Sequence, residues 1–211
     1  MEKLVEMGLV KDIGISNFNS AQVKEIVDNC KVGTLEKLSM YSIFCGFELQ
    51  ELASLRKRVS FQILPATNQV ECHPSLNQEK LRAFCEERGI VLTAYSPLGS
   101  PGLVNAMNEG TSAIPMNGAR PNLLGDPKVK EIAAKHGKTT AQVLLRFQIQ
   151  RGVVVVPKSV TPKRIQENYD ILDFELTKED MDFVNSLECN GRIIIPAMLE
   201  GHPQFPFKIP F

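Results

Sequence analysis

Neither sign of charge is in excess: 24 lysines and arginines stand against 24 aspartates and glutamates in 211 residues. The charges are interspersed and there is no basic tail, so the composition offers no footprint for nucleic acid or an anionic membrane surface. No apolar run approaches the roughly 20 residues of a membrane-spanning helix. The opening Met1-Glu-Lys-Leu-Val-Glu6 is charged and helical in character, unlike a secretory signal. Cys30, Cys45, Cys72, Cys85 and Cys189 are odd in number, scattered and without a CxxC pair. They read as reduced thiols of a cytoplasmic protein, not as a disulfide framework or a zinc site. His73, His136 and His202 lie too far apart for a local metal-ligand spacing, so no metal is expected. No internal repeat or low-complexity segment is present.

What is present centres on residues 153–168. Val153 to Val156 read as a short, fully buried strand that Pro157 ends. Thr161-Pro162 then gives a helix start, an N-cap followed by proline at the first helical position. Lys158, Ser159 and Arg164 fall in this strand-to-helix turn, where free N–H groups and the helix dipole favour an anion. Arg164 lies in the first helical turn, an unfavourable place for a cation unless an anion offsets it. Two readings fit the spacing: a phosphate site, or a solvated basic turn.

The rest of the chain alternates strand and helix patterns. A helix is expected over 2–8 with Gly8 as its stop, then a strand over 9–15 ending in Gly14-Ile-Ser-Asn-Phe18. Asn19 with Gln22 three residues on predicts a capping box and a helix to Cys30. A strand over 63–70 carries Asn68-Gln-Val-Glu-Cys-His-Pro74, whose His73-Pro74 reads as a turn. Asn77 is expected to cap a helix over 78–88 that Gly89 stops. Ile90 to Tyr95 is a third strand, entering Ala94-Tyr-Ser-Pro-Leu-Gly-Ser100. Residues 100–124 carry no clear period and read as a long loop. Asp126-Pro127 opens a helix to Gly137, and Thr139 with Gln142 caps another to Gln150. After the valine strand come a helix over 162–170, a helix capped by Thr177 with Asp180, and an irregular proline-rich tail from Asn190.

The four quoted stretches, in this order, resemble the aldo-keto reductases. The resemblance implies an eight-stranded βα barrel, NADPH as cofactor, and reduction of aldehydes or ketones to alcohols. A closed barrel takes eight strands and about 250 residues. Four strands are expected here, at 9–15, 63–70, 90–95 and 153–156. The expected fold is therefore α/β: a partial (β/α)8 TIM barrel, its second half with about four parallel strands and surrounding helices, as one truncated domain over 1–211.

The resemblance also assigns roles by motif. Ser16, Asn17 and Gln69 would hydrogen-bond the nicotinamide carboxamide, and the Tyr95 ring would stack on the nicotinamide. Ser96, Leu98 and Ser100 match the loop that follows the pyrophosphate. Lys158, Ser159, Val160, Thr161 and Arg164 match the turn that holds the adenosine 2′-phosphate; Glu167 and Asn168 match adenine contacts. No catalytic residue is assigned. The family's tyrosine acid, its lysine and aspartate partners, and its histidine come from the first four strands. Tyr41 and Tyr169 stand in no comparable setting, and His73 reads as a turn residue rather than a proton donor.

Residues 32–62 do not fit the family pattern. A helix-to-strand connection takes a few residues, and Lys31 followed directly by Ile63 would restore the motif order. Every valine codon begins GT and one glutamine codon ends AG, so the segment fits a translated, retained intron; an authentic insertion with a surface helix over 48–58 is the other reading. Three functional readings follow: a carbonyl reductase inactive as this chain alone, a non-catalytic NADPH-binding module, or an unstable truncated product. In the third, a half barrel with two open parallel strand edges would aggregate, dimerise through those edges or fail to accumulate. Met107, Met116, Met198, Phe205 and Phe207 either line an apolar substrate pocket or cover the core.

Overall fold

The computed structural model describes residues 1–30, 32–34, 60–108 and 122–209. Its elements are α1 (Glu2–Glu6), β1 (Gly14–Ser16), α2 (Ser20–Asn29), β2 (Val32–Thr34), β3 (Ser60–Gln62), β4 (Thr67–Glu71), α3 (Glu79–Glu86), β5 (Val91–Tyr95), α4 (Pro101–Asn108), α5 (Pro127–Lys135), α6 (Thr140–Gln150), β6 (Val154–Val155), α7 (Pro162–Tyr169) and α8 (Lys178–Asn185). Strands β1, β4, β5 and β6 form one parallel sheet in that order. The register sets Ser16 opposite Gln69, Glu71 opposite Tyr95, and Ala94 opposite Val155.

Alternation along the strands separates two faces. Val70, Leu92, Ala94 and Val153 face the helices and are buried with Val23 of α2 and Leu81 and Cys85 of α3. Burying each larger aliphatic side chain there stabilises the sheet by about 1.5–3 kcal/mol. The other face carries Thr67, Gln69, Val91, Thr93 and Val154, and here Val91 and Val154 stay 44% and 47% exposed. A second core joins α5, α6 and α8 through Val129, Ile132, Leu144, Phe147 and Val184.

The helix starts follow local sequence. Asn19/Gln22, Thr139/Gln142 and Thr177/Asp180 all form reciprocal capping boxes. Asp126 accepts from the N–H groups of Lys128 and Val129 at 2.8 and 3.0 Å, with Pro127 inside the first turn.

Five local expectations need correction. The strand expected over 9–15 is confined to 14–16, because the N–H groups of Leu9 and Val10 bond the Leu4 carbonyl in ending α1. The strand expected from 63 starts at Thr67, beyond Pro65. The valine strand is not fully buried: Val153 faces the helices, whereas Val154 and Val156 face the open side. Residues 100–124 are not all loop. Ser100-Pro101 starts α4 and a 3-10 turn spans Leu123–Gly125. Finally, the N-cap of α3 is Gln78, with φ 54°, although the Asn77 side chain still accepts from the Glu79 N–H at 3.1 Å.

The atypical segment leaves and returns through one short antiparallel ladder, β2 with β3, in which Val32 lies opposite Gln62. That ladder brings exit beside entry, so α2 still leads into β4. The helix expected over 48–58 lies outside the described residues.

Candidate functional site

Parallel strands in register deliver their C-terminal ends to one side of the sheet. There the Ser16 hydroxyl donates to the Gln69 carbonyl at 2.9 Å, and the Asn17 N–H donates to the same oxygen at 2.9 Å. Asn68, fully buried, holds the following turn by donating to the Phe18 carbonyl at 2.9 Å. The Tyr95 hydroxyl donates to Asn17 Oδ1 at 3.1 Å. Burial, then the charge of Glu71, pushes the Tyr95 phenol up to about 12 despite the Asn17 bond. Ser16, Asn17, Gln69 and Tyr95 thus form one polar group across β1, β4 and β5.

A cleft of about 810 Å³ opens beside it. One wall is the β5–α4 connection with Ser96, Leu98 and Ser100; the other is the turn from β6 into α7 with Lys158, Ser159, Val160, Thr161 and Arg164, followed by Glu167 and Asn168. Ser96 and Ser100 both take positive φ, 51° and 46°, and the Ser100 hydroxyl donates to Ser96 Oγ at 2.8 Å. Gly99 between them has φ 73°, and a Cβ there would lie 3.0 Å from Leu123 Cδ1. A tight loop therefore meets the core at a position that favours glycine.

The second wall is rich in unanswered donors. Thr161 is the N-cap of α7 but its side chain makes no cap bond; its own N–H donates to Ser159 Oγ at 3.2 Å. The first-turn N–H groups of a helix have no intrahelical partner. Lys158 and Arg164 are exposed and have no hydrogen bond or ion pair among the described residues. Positive charge therefore collects at a helix N-terminus, where a cation alone is unfavourable.

Ten of the fourteen residues singled out by motif line this cleft, and the other four are the polar group at the strand ends. Glu71 was not among them. Its carboxylate is fully buried at the end of β4; Oε1 accepts from His73 Nε2 at 3.0 Å and from the Ile193 N–H at 2.7 Å, and Oε2 accepts from the Ile194 N–H at 2.9 Å. Burial alone would raise its pKa, but His73 and the two N–H groups outweigh that and hold it below the ordinary carboxylate value. The only sequence signal was an acid at the end of a strand motif. His73 itself is buried, turns back on Leu76 through paired backbone bonds, and has its Nε2 on Glu71.

No described tyrosine has the setting of a proton donor. Tyr95 is pushed up rather than down, and Tyr169 is 80% exposed on α7. Tyr41 lies outside the described residues. Met198 is exposed, while Phe205 is buried against Phe207, edge-on at 5.4 Å, so the tail aromatics pack together. The side chain of Met107 and all of Met116 lie outside the described residues. No helix among the described residues is long and apolar enough to cross a membrane.

Comparison with known proteins fits this geometry. A sequence profile of the aldo/keto reductase family matches residues 1–188. The chain is 41% identical over 220 aligned positions to aldo-keto reductase family 1 member A1 of Gallus gallus, covering 100% of this chain and 55% of that protein. It is 40% identical to prostaglandin-E(2) 9-reductase of Oryctolagus cuniculus, covering 99% and 53%. The aldose reductase structure from Schistosoma japonicum superposes with a TM-score of 0.73 at 36% identity, covering 100% and 52%. The Bombyx mori aldo-keto reductase in complex with NADP gives 0.72 at 30% identity, covering 98% and 54%. The chain spans about half the length of the curated relatives it matches.

Proposed function

The chain belongs to the aldo/keto reductase family, and from that premise we propose that it holds NADPH in the cleft between the β5–α4 loop and α7. Its four parallel strands with their helices correspond to half of an eight-stranded βα barrel. One observation carries the cofactor reading: Lys158 and Arg164 lie beside an uncapped helix N-terminus, and among the described residues no carboxylate pairs with them. A 2′-phosphate supplies the missing anion, and charge-assisted contacts of this kind are the strong ones. The cleft volume suits a ligand of nucleotide size.

In this reading Lys158, Ser159, Val160, Thr161 and Arg164 hold the 2′-phosphate, and Glu167 and Asn168 meet the adenine. Ser96, Leu98 and Ser100 follow the pyrophosphate. Ser16, Asn17 and Gln69 hold the carboxamide, and the Tyr95 ring fixes the nicotinamide face. NADPH, when bound, supplies the hydride for reducing an aldehyde or ketone. Reduction also needs a positioned acid of suitable pKa, and neither described tyrosine next to or beyond the cleft is one. The chain alone therefore binds cofactor without turnover, as a module of a carbonyl reductase. The outer strands β1 and β6 and the exposed Val91, Val154 and Val156 support self-association as well. The β2–β3 stem supports treating residues 32–62 as an insertion into one domain.

Fluorescence titration of the purified chain with NADPH and with NADH tests the cofactor reading. Saturable NADPH binding is expected, weakened about 10-fold or more by Arg164→Ala, with NADH binding unaffected by that change. Equal affinity for the two cofactors, or an indifferent Arg164→Ala variant, would overturn it.

A further inference from the structure

The C-terminal tail is fastened at two places. At its start, the N–H groups of Ile193 and Ile194 donate to opposite oxygens of the Glu71 carboxylate, at 2.7 and 2.9 Å. Towards its end, the Pro206 carbonyl accepts from Asn19 Nδ2 and the Gln204 carbonyl from Gln22 Nε2, both at 2.9 Å. Arg192, just before the first point, sets its guanidinium 4.0 Å over the ring of Phe207, just after the second, and Phe207 packs edge-on against Phe205. The tail thus runs from the end of β4 to the start of α2. Gln69 lies on β4, Ser16 and Asn17 lead from the end of β1 towards α2, and Tyr95 ends β5 opposite Glu71.

Glu71 is suited to this anchoring. A buried carboxylate is costly unless donors surround it, and Glu71 has three, two of them main-chain N–H groups of the tail. Its strand neighbour in register is Tyr95. Whatever fixes Glu71 therefore fixes the tail relative to the Tyr95 ring. A glutamine would offer one acceptor and an NH2 group, which would meet one of the two tail N–H groups donor to donor.

We propose that Glu71 is a positioning residue: through the Ile193 and Ile194 amides it sets the C-terminal tail as a roof over the nicotinamide end of the cofactor site. This rests on the NADPH reading above. Glu71 touches neither cofactor nor substrate. It acts through the tail, and the Arg192–Phe207 stack carries that placement on to Asn19 and Gln22.

The test is amide hydrogen exchange on the intact 211-residue chain, with cofactor titrations alongside. Glu71→Gln should speed exchange at Ile193 and Ile194 about 10-fold or more while the amides of α6 stay protected. NADPH affinity should fall about 10-fold, and affinity for 2′,5′-ADP, which reaches only the 2′-phosphate end, should hold. Phe207→Ala removes the roof downstream of the anchor. It should reproduce the NADPH loss with Ile193 and Ile194 still protected. Unchanged exchange at Ile193 and Ile194 in Glu71→Gln, or loss of protection in α6 to the same degree, would overturn the proposal. So would equal losses of NADPH and 2′,5′-ADP binding. A wild-type chain that binds neither ligand would sink the cofactor reading and the roof's role with it, while the exchange arm would still report whether Glu71 anchors the tail.

Discussion

Tyr95 reaches across the sheet to Asn17, its hydroxyl donating to Asn17 Oδ1 at 3.1 Å. Asn17 sits at φ 59°, a left-handed conformation that asparagine tolerates better than most residues. The bond ties β5 to the turn after β1 across the intervening β4. It also holds the plane of the Tyr95 ring at the mouth of the sheet.

Tyr95→Phe removes that bond and keeps the ring. A loss of about 0.5–1.5 kcal/mol in stability is expected, since Asn17 is only half-buried and water can replace the donor. NADPH should still bind, with its fluorescence altered. Denaturant unfolding and the cofactor titration together check this; a Tyr95→Phe chain that binds no NADPH would show that the hydroxyl, not the ring, carries the contact.

Asp180 joins α8 to the end of α5. It accepts from Lys135 Nζ at 2.9 Å, from His136 Nε2 at 2.8 Å and from the Thr177 N–H at 3.2 Å. Burial pushes its carboxyl up, but His136, Lys135 and Thr177 outweigh that and bring it to about 2 from 3.8. A folded pKa below the unfolded one means stability that is present above the unfolded value and lost as pH falls through the folded one. The contribution, about 1–2 kcal/mol after allowance for solvent screening, should therefore be complete near neutrality and fade between about pH 4 and 2. Urea midpoints across that range should show this slope in the wild type and a shallower one in Asp180→Asn.

The open sheet face gives a prediction about association. Val154 and Val156 are exposed on the outer strand and just beyond it, and Val91 of β5 is exposed on the same face, two residues before the Thr93 that pairs with Val154. Sedimentation velocity should find concentration-dependent oligomers of the wild-type chain. Val156→Lys places a charge at that edge and should shift the distribution towards monomer. A wild-type chain that stays monomeric at all concentrations would refute association through this face.

The segment at 32–62 gives the last one. Because β2 and β3 pair at its ends, Val32 opposite Gln62, excising the segment should leave the α2-to-β4 path intact. A variant joining Lys31 to Ile63 is expected to fold with equal or greater stability, and transcript sequencing should find a shorter spliced form. A message that always encodes the segment would favour an authentic insertion.

Much of this architecture is local and so was legible in order along the chain. Asn19 with Gln22, Thr139 with Gln142 and Thr177 with Asp180 form their caps within four residues, needing no tertiary partner. Four motifs in sequence carried the family and the parallel βα reading, and the same motifs marked the residues that the fold gathers along one cleft and at the strand ends beside it. Tertiary structure decided what depends on distant neighbours. Val154 and Val156 read as core because valine in a run looks buried from sequence, but each needs a partner on its own face of the sheet, and among the described residues it is the opposite face that the helices cover. Leu9 and Val10 have strand character, yet their N–H groups are taken by the end of α1. Glu71 looked like any acid at a strand end; its role depends on two amides more than a hundred residues away, and a carboxylate's partners across the chain have no periodicity to betray them.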